Sequence, residues 1–357
     1  MSDARSMSAT LADELDAYLA AVLAGDRRSA INAALDTLEA GVPAETVITD
    51  LLARAQREIG VGWQEGRWSV AMEHRASSIT ESALQSVSDE AMRAPGALRE
   101  GSRGHAVVAC TEGEWHVLPG RMASEVLRLR GADVSFIGPS VPASELADML
   151  GVDPPAAVAV TCSMPLSLTG SWRTISALRG LGMTVVCGGR GFGPEGRWGL
   201  AIGADLWAPD FVTGANMLLD ALDADRPPPR PPVGGPEVTE ELRIIARDRE
   251  AFVESATAVA LGAWPSLRES DAAVRATRED LDSTLKALSA AVVCSDGDVV
   301  TDFVAWFENV LANRSLPLAF CASAFDLLLG SLPEELPLTR QMARHGLDSC
   351  TVPPLGR

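Results

Sequence analysis

His116 stands in the stretch Glu112-Gly113-Glu114-Trp115-His116-Val117-Leu118-Pro119-Gly120. An imidazole two residues after a carboxylate is a pairing that metal chemistry uses. One ring nitrogen binds the metal while the carboxylate holds the other and fixes the tautomer. Glu114 is that carboxylate, and Trp115 lies between the two. Taken alone, a loop histidine is more often an ordinary polar surface residue, so its setting has to supply the weight. Ala106 to Cys110 is an apolar run and helical spacing follows His116. His116 is therefore expected on the first strand-to-helix loop of an α/β sheet, beyond the carboxyl ends of the strands, where ligands of such sheets bind.

Further along, Thr161-Cys162-Ser163 closes a third apolar run and Gly188-Gly189 follows a fourth. Small hydroxyl and glycine positions at strand ends leave room for an extended group to slide between them. Each is weak alone, since paired glycines also make ordinary turns and Thr or Ser often caps the next helix. Upstream, Trp63 is one of two tryptophans, beside three glycines, in the connection Gly60 to Ser69, and Val70 and Glu73-His74 follow it. A plain linker needs neither residue type, and the stretch is expected to receive something docked on it.

The elements that must hold these residues can be read from periodicity. Residues 1–10 show no pattern and are expected to be disordered. Helical spacing then recurs from Leu11 to Leu23, from Arg28 to Glu39, from Pro43 to Ile59 and from Val70 to Met92. This predicts a four-helix bundle over residues 1–99. Over residues 100–225, β-branched runs alternate with helical segments, the pattern of a parallel sheet with crossover helices. The expected strands are Ala106–Cys110, Asp133–Ile137, Ala156–Thr161, Thr184–Cys187 and Asp205–Ala208, a five-stranded flavodoxin-like domain. Residues 226–236 are proline-rich and form a semi-rigid linker. Residues 237–357 read as four helices, patterned by Leu242 to Phe252, Val274 to Val292, Val299 to Val310 and Phe320 to Leu332.

Composition limits the function. The chain has 357 residues, 47% apolar and 22% charged, enough for two or three globular domains. A net charge of −18 with Lys286 as the only lysine argues against nucleic acid as a partner. No apolar run approaches the length of a membrane span and no basic, then apolar, leader opens the sequence, so a cytoplasmic location is expected. Six cysteines without a C-x-x-C pair fit neither a zinc motif nor a disulfide framework.

In order and spacing, Glu114–His116, Thr161–Ser163 and Gly188–Gly189 resemble the cobalamin-binding domain. The resemblance implies that His116 is the lower cobalt ligand and Glu114 its orienting carboxylate, and that Thr161, Ser163, Gly188 and Gly189 line the channel of the nucleotide tail. The family has glycine three residues after the histidine, whereas here Pro119 holds that place and Gly120 follows. Trp63, Val70, Glu73 and His74 resemble the W-x(9)-E-H pattern of the light-sensing, adenosylcobalamin-dependent MerR-type repressors. That likeness implies that they cover the upper face of the cofactor and enclose its adenosyl group. A tryptophan supplies a flat apolar lid, and a glutamate accepts hydrogen bonds from a ribose or adenine edge. Where those repressors can have a second histidine ligand after the lid tryptophan, this sequence has Gln64, a far poorer donor to cobalt.

A cobalamin bundle, a cobalamin sheet and an all-helical C-terminal domain together resemble the photocobilins, photoreceptors that hold both cobalamin and biliverdin. The likeness implies a globin- or phycobiliprotein-like C-terminal domain, biliverdin as a second chromophore, and a light sensor rather than an enzyme. A bilin needs cations for its propionates. Arg243, Arg247, Arg249, Arg275 and Arg278 are available, with Trp264, Phe303, Trp306 and Phe307 as apolar walls; of these Arg275, Arg278 and Trp306 are the chosen candidates. Covalent attachment would require a reactive cysteine, for which Cys294, Cys321 and Cys350 are available, although noncovalent binding is expected. Signalling is expected through a homo-oligomer, a dimer, or a separate effector protein. The alternative class is a corrinoid protein that carries methyl groups for a methyltransferase system. Such a carrier must expose its cobalt to partners, whereas Trp63 and Glu73-His74 are suited to burying a larger group.

Overall fold

The computed structural model describes residues 2–98 and 101–356, with side chains from residue 11 onward. Helices α1 (Ser2–Ala24), α2 (Arg27–Glu39), α3 (Ala44–Thr46), α4 (Ala53–Gln64) and α5 (Val70–Arg93) build the N-terminal unit, with a π-helical turn, Val47–Leu52, joining α3 to α4 into one rod. It is the expected four-helix bundle. Its core contains Leu15, Tyr18, Ile48, Leu51, Leu52, Ile59, Ile79 and Leu84, and the buried hydroxyl of Tyr18 donates to Thr80 Oγ1 at 3.1 Å. Two expectations change. Helix α1 begins at Ser2, because residues 2–10 hold no proline or glycine to stop it; Met1 lies outside the described residues. The third helix also runs on past Ile59 to Gln64, so Trp63 sits on a helical turn and not in a loop. Gly62 permits this, since a β-carbon there would lie 1.8 Å from Trp68 Nε1. Trp68 folds back onto its own helix.

Five parallel strands follow: β1 (His105–Cys110), β2 (Asp133–Ile137), β3 (Ala157–Thr161), β4 (Thr184–Gly188) and β5 (Leu206–Ala208), in the order β2-β1-β3-β4-β5. The crossover helices are α6 (Val117–Leu129), α7 (Ala143–Gly151), α8 (Leu168–Gly180), α9 (Arg197–Ala201) and α10 (Phe211–Leu222). This is the flavodoxin-like arrangement expected. The order reverses between β1 and β3, so the loops after these strands diverge and leave a crevice.

Because side chains alternate across a strand, the sheet separates two cores. Ala106, Val108, Ala157 and Val186 face a core shared with α6, α10 and the bundle. Val107, Val158, Val160, Val185 and Cys187 face a core shared with α8 and the C-terminal helices. Those helices are α11 (Pro236–Ala263), α12 (Asp271–Cys294), α13 (Asp298–Asn313), α14 (Ala319–Ser331) and α15 (Pro337–Ser349). The C-terminal domain is all-helical, with one helix more than periodicity predicts; the short polar sequence of α15, PLTRQMARHGLDS, hides it from that reading.

The proline-rich linker lies on the α/β domain. Arg230 pairs with Asp205 and donates to Met183 O at 2.8 Å, and Trp172 Nε1 donates to Val233 O at 2.8 Å. The boundary is thus a strap, and the C-terminal helices continue the core of the sheet. Among the described residues, no helix is long and apolar enough to cross a membrane.

Candidate functional site

The β1 loop is held from three sides. Thr111 N–H donates to Thr161 O at 3.2 Å, which ties the ends of β1 and β3 together. Glu112 accepts two bonds from Arg173, at 2.7 and 3.0 Å, and one from Ala143 N–H at 3.1 Å. Gly170 lets α8 approach, since a β-carbon there would lie 1.8 Å from Glu112 O. From the β2 loop, Ser140 Oγ accepts Gly113 N–H at 3.1 Å and Ser140 N–H donates to Glu114 O at 3.0 Å.

Inside this frame Glu114 is almost fully buried. Its carboxylate accepts the backbone N–H of His116 at 2.7 Å, His116 Nδ1 at 2.6 Å and the backbone N–H of Ser163. Burial by itself would push the Glu114 carboxyl up; the hydrogen bond and charge of His116 and the two backbone donors outweigh it and hold the group below the ordinary range. The hydrogen bond to Glu114 raises the His116 pKa against the opposing effect of burial, and the charges of Glu114 and Glu73 add to the rise. With Nδ1–H committed to Glu114, the tautomer leaves Nε2 as a lone-pair donor. Among the described residues Nε2 has no partner, on a side chain 55% exposed.

Pro119 does not disturb the loop. His116 caps α6, so Pro119 is the third helical residue, within the first turn where no N–H is required. Gly120 carries the close approach: a β-carbon there would meet Phe136 at 2.6 Å and Thr161 Oγ1 at 3.2 Å. The glycine has moved one place along the helix and still faces the sheet.

The bundle is aligned on this loop through α5, which runs beside α6 in the same direction. Arg121 pairs with Glu81 and Ser88 Oγ donates to Glu125, each at 2.5 Å. Extending that register toward the helix starts brings the first turn of α5 to the first turn of α6, in keeping with Glu73 lying within electrostatic reach of His116. Glu73 accepts Ser77 Oγ at 2.7 Å and His74 Nδ1 at 2.5 Å, with Gln56 completing the network. His74 is 75% exposed. Val70, one turn before Glu73, is 49% exposed and Trp115, next to His116 in the chain, is 71% exposed, two apolar side chains open to solvent. Trp63 is half-buried at the end of α4.

The stretch from Gly60 to Ser69 does receive a neighbour. Asn313, the last residue of α13, donates from Nδ2 to Gln64 O at 3.4 Å, and a β-carbon at Gly66 would lie 3.6 Å from Asn313 O. Gln56, Ser140 and Asn313 therefore belong to the site's support, and sequence reasoning misses all three. Each acts on a residue distant in the chain, and no local pattern marks them.

The donor set and the space suit a corrinoid. His116 offers one oriented imidazole nitrogen. At Gly188 a β-carbon would meet nothing within 4 Å except Ala208 O at 3.9 Å, so the strand end adjoins open room that a side chain would fill. Gly189, with φ of 110°, instead packs against the Cys162 carbonyl, where a β-carbon would lie 2.3 Å away. Gly189 shapes the turn, then, and Gly188 borders the space. Thr161 is buried, and Ser163 presents its backbone N–H to Glu114.

The candidate bilin residues do not converge in the same way. Arg275 and Arg278 line a cleft of about 620 Å³ between α11 and α12, together with Arg247, Arg249 and Val253. Trp306 is outside this cleft, packed on Phe303 and Phe307 of α13 with ring centroids 5.8 and 6.5 Å away. Arg249 and Arg278 are already paired, with Asp282 at 2.5 Å and Glu250 at 2.8 Å.

Residues 14–87 match one model of a B12 binding domain and residues 104–216 match another. Among solved structures, the monomethylamine corrinoid protein of Methanosarcina barkeri is 19% identical, with a TM-score of 0.50 over 58% of this chain and 98% of that one. The methanol:cobalamin methyltransferase complex of Methanosarcina barkeri is 16% identical, with a TM-score of 0.31 over 60% of this chain and 81% of that one. A novel cobalamin-binding protein from Desulfitobacterium hafniense DCB-2 is 20% identical, with a TM-score of 0.32 over 58% of this chain and 98% of that one. No curated protein matches the chain. Bundle and sheet are thus a pair of B12-binding domains, and the chain is a cobalamin-binding protein.

Proposed function

We propose that this protein is a light sensor that binds adenosylcobalamin between bundle and sheet. When bound, the cofactor supplies a cobalt–carbon bond that light can cleave. His116 Nε2 would donate to the cobalt, with Glu114 holding the proton at Nδ1 so that Nε2 stays free. Thr161, Ser163, Gly188 and Gly189 border the tail channel. Trp63 and Val70 offer apolar cover for the upper side, and Glu73, held by Ser77 and Gln56, is an acceptor for a sugar or adenine edge. Gln64 provides no imidazole to the upper face.

The observation that carries this reading over a methyl carrier is the contact of Asn313 with Gln64 and Gly66. It braces the α4–α5 corner from the C-terminal side, where a carrier would need that corner free to swing away from its cobalt. The carrier reading draws on the shared fold with the Methanosarcina barkeri corrinoid protein.

We extend the proposal to biliverdin in the C-terminal domain, resting on the cleft of about 620 Å³ lined by Arg247, Arg249, Arg275 and Arg278 together with Glu250, Glu279 and Asp282, where the propionates would have to displace the carboxylates now paired with Arg249 and Arg278. Output would pass through a change in homo-oligomeric assembly or to a separate effector, since a switch requires contacts that differ between its two states. The test is the full chain loaded with adenosylcobalamin in darkness, with and without biliverdin, followed by absorption and sedimentation before and after illumination. A dark alkylcobalamin spectrum lost on illumination, together with altered sedimentation, is the expected result. Unchanged sedimentation and equal affinity for methylcobalamin would instead favour the carrier. Absence of a far-red band with biliverdin would remove the bilin.

A further inference from the structure

The C-terminal domain contains a group of side chains that the cobalamin reading does not use. Glu308 of α13, Cys321 of α14 and Cys350, which ends α15, bring their ligand atoms within 4.8 Å of one another. Three separate helices converge there. We propose that Glu308, Cys321 and Cys350 form a binding site for a tetrahedral divalent cation of the zinc class.

Spacing is the first argument. Two thiolates on a tetrahedral zinc, with metal–sulfur bonds of about 2.3 Å, stand about 3.8 Å apart. Cys321 Sγ and Cys350 Sγ are 3.7 Å apart. The pair is close enough to share a metal without movement of the helices.

The carboxylate is the second. A buried carboxylate needs a cationic partner or a full set of donors. Glu308 is 8% exposed and accepts one bond, from Thr351 N–H to Oε1 at 2.8 Å. Among the described residues, no Arg, Lys or His forms an ion pair with it. That single bond fixes the carboxylate's direction, as the outer partners of metal ligands do. A further acid, the half-buried Asp280, lies within electrostatic reach of Cys321 and adds negative potential.

Access and softness complete the case. Cys321 and Glu308 are buried while Cys350 is half-buried, so a cation has a route in from the Cys350 side. Two sulfurs and one oxygen favour zinc over magnesium or calcium. On binding, the metal displaces the two thiol protons into water, and solvent completes the fourth position. The metal would pin the segment after α15 to α13 and α14, a role independent of whether cobalamin binds.

The experiment uses full-length protein stripped with a chelator and given zinc chloride alone. Metal is measured by mass spectrometry after gel filtration, and unfolding is followed by circular dichroism. Equimolar zinc and a higher melting temperature are expected for the wild type and for Cys187→Ser, a buried cysteine elsewhere. Cys350→Ser, at the half-buried position, and Glu308→Gln should keep the helical spectrum and lose equimolar zinc. Retention of zinc by both variants would overturn the site. So would a Cys321–Cys350 disulfide, with no zinc bound, in protein purified under reducing conditions.

Discussion

The carboxylate of Glu114 joins His116 to the end of β3: it takes His116 Nδ1 at 2.6 Å and, with its other oxygen, the backbone N–H of Ser163. The imidazole is thereby fixed to two loops that diverge at the reversal in strand order. Orientation of the donor is a property of the sheet and does not depend on the half-exposed ring itself.

Glu114→Gln tests that fixation. The amide oxygen can still accept both His116 donors, which share one carboxylate oxygen, but the NH2 then faces Ser163 N–H, so one of the three bonds becomes a clash of donors. Cobalamin affinity is expected to fall about 10–100-fold, read by calorimetry in darkness. Unchanged affinity would mean that Glu114 only shapes the loop.

Trp63→Ala tests the lid. Losing an aromatic contact of this size costs about 2 kcal/mol, or about 30-fold in affinity. The loss is expected for adenosylcobalamin and not for methylcobalamin, because only the former reaches the upper cover. An equal loss for both would assign Trp63 to bundle packing.

Gly188→Leu tests the channel. The β-carbon has room beside Ala208 O, so the fold should survive while the longer side chain fills the space. Circular dichroism is expected to be unchanged and cobalamin uptake abolished. Full uptake by a folded variant would move the tail elsewhere.

Asp280 gives a pH-dependent prediction. Burial, opposed by the Arg314 charge, raises its carboxyl from 3.8 to about 6. The folded state therefore keeps the proton where the unfolded chain has lost it, and stability falls as pH rises through that window. The loss is at most about 3 kcal/mol. Asp280→Asn should flatten this part of the wild-type curve in urea titrations from pH 4 to 7. Parallel curves would show that Asp280 titrates normally.

The positions of the candidate residues are readable in the sequence because they lie at strand ends, where period and position coincide, whereas their roles toward cobalamin come from the family resemblance. His116, Glu114 and Gly188 follow directly from apolar runs and the loops after them. The support is less readable. Ser140, through two hydrogen bonds to the β1 loop, and Asn313, through one to Gln64 O, act across the chain, and such bonds leave no periodic trace. Helix α4 runs past its expected end at Ile59 because Trp68 packs back on a bare Gly62, and a contact of that kind leaves no mark in the apolar spacing. The bilin candidates differ again, since helical spacing gives Arg275, Arg278 and Trp306 without saying which helix faces which.

The most direct measurement is electron paramagnetic resonance of the cob(II)alamin form bound to full-length protein labelled with nitrogen-15 histidine. If His116 Nε2 is the lower donor, the superhyperfine lines of cobalt should be doublets from the labelled nitrogen, and His116→Ala should abolish them. Triplets from the unlabelled dimethylbenzimidazole nitrogen of the cofactor's own tail in the labelled wild type would contradict the account.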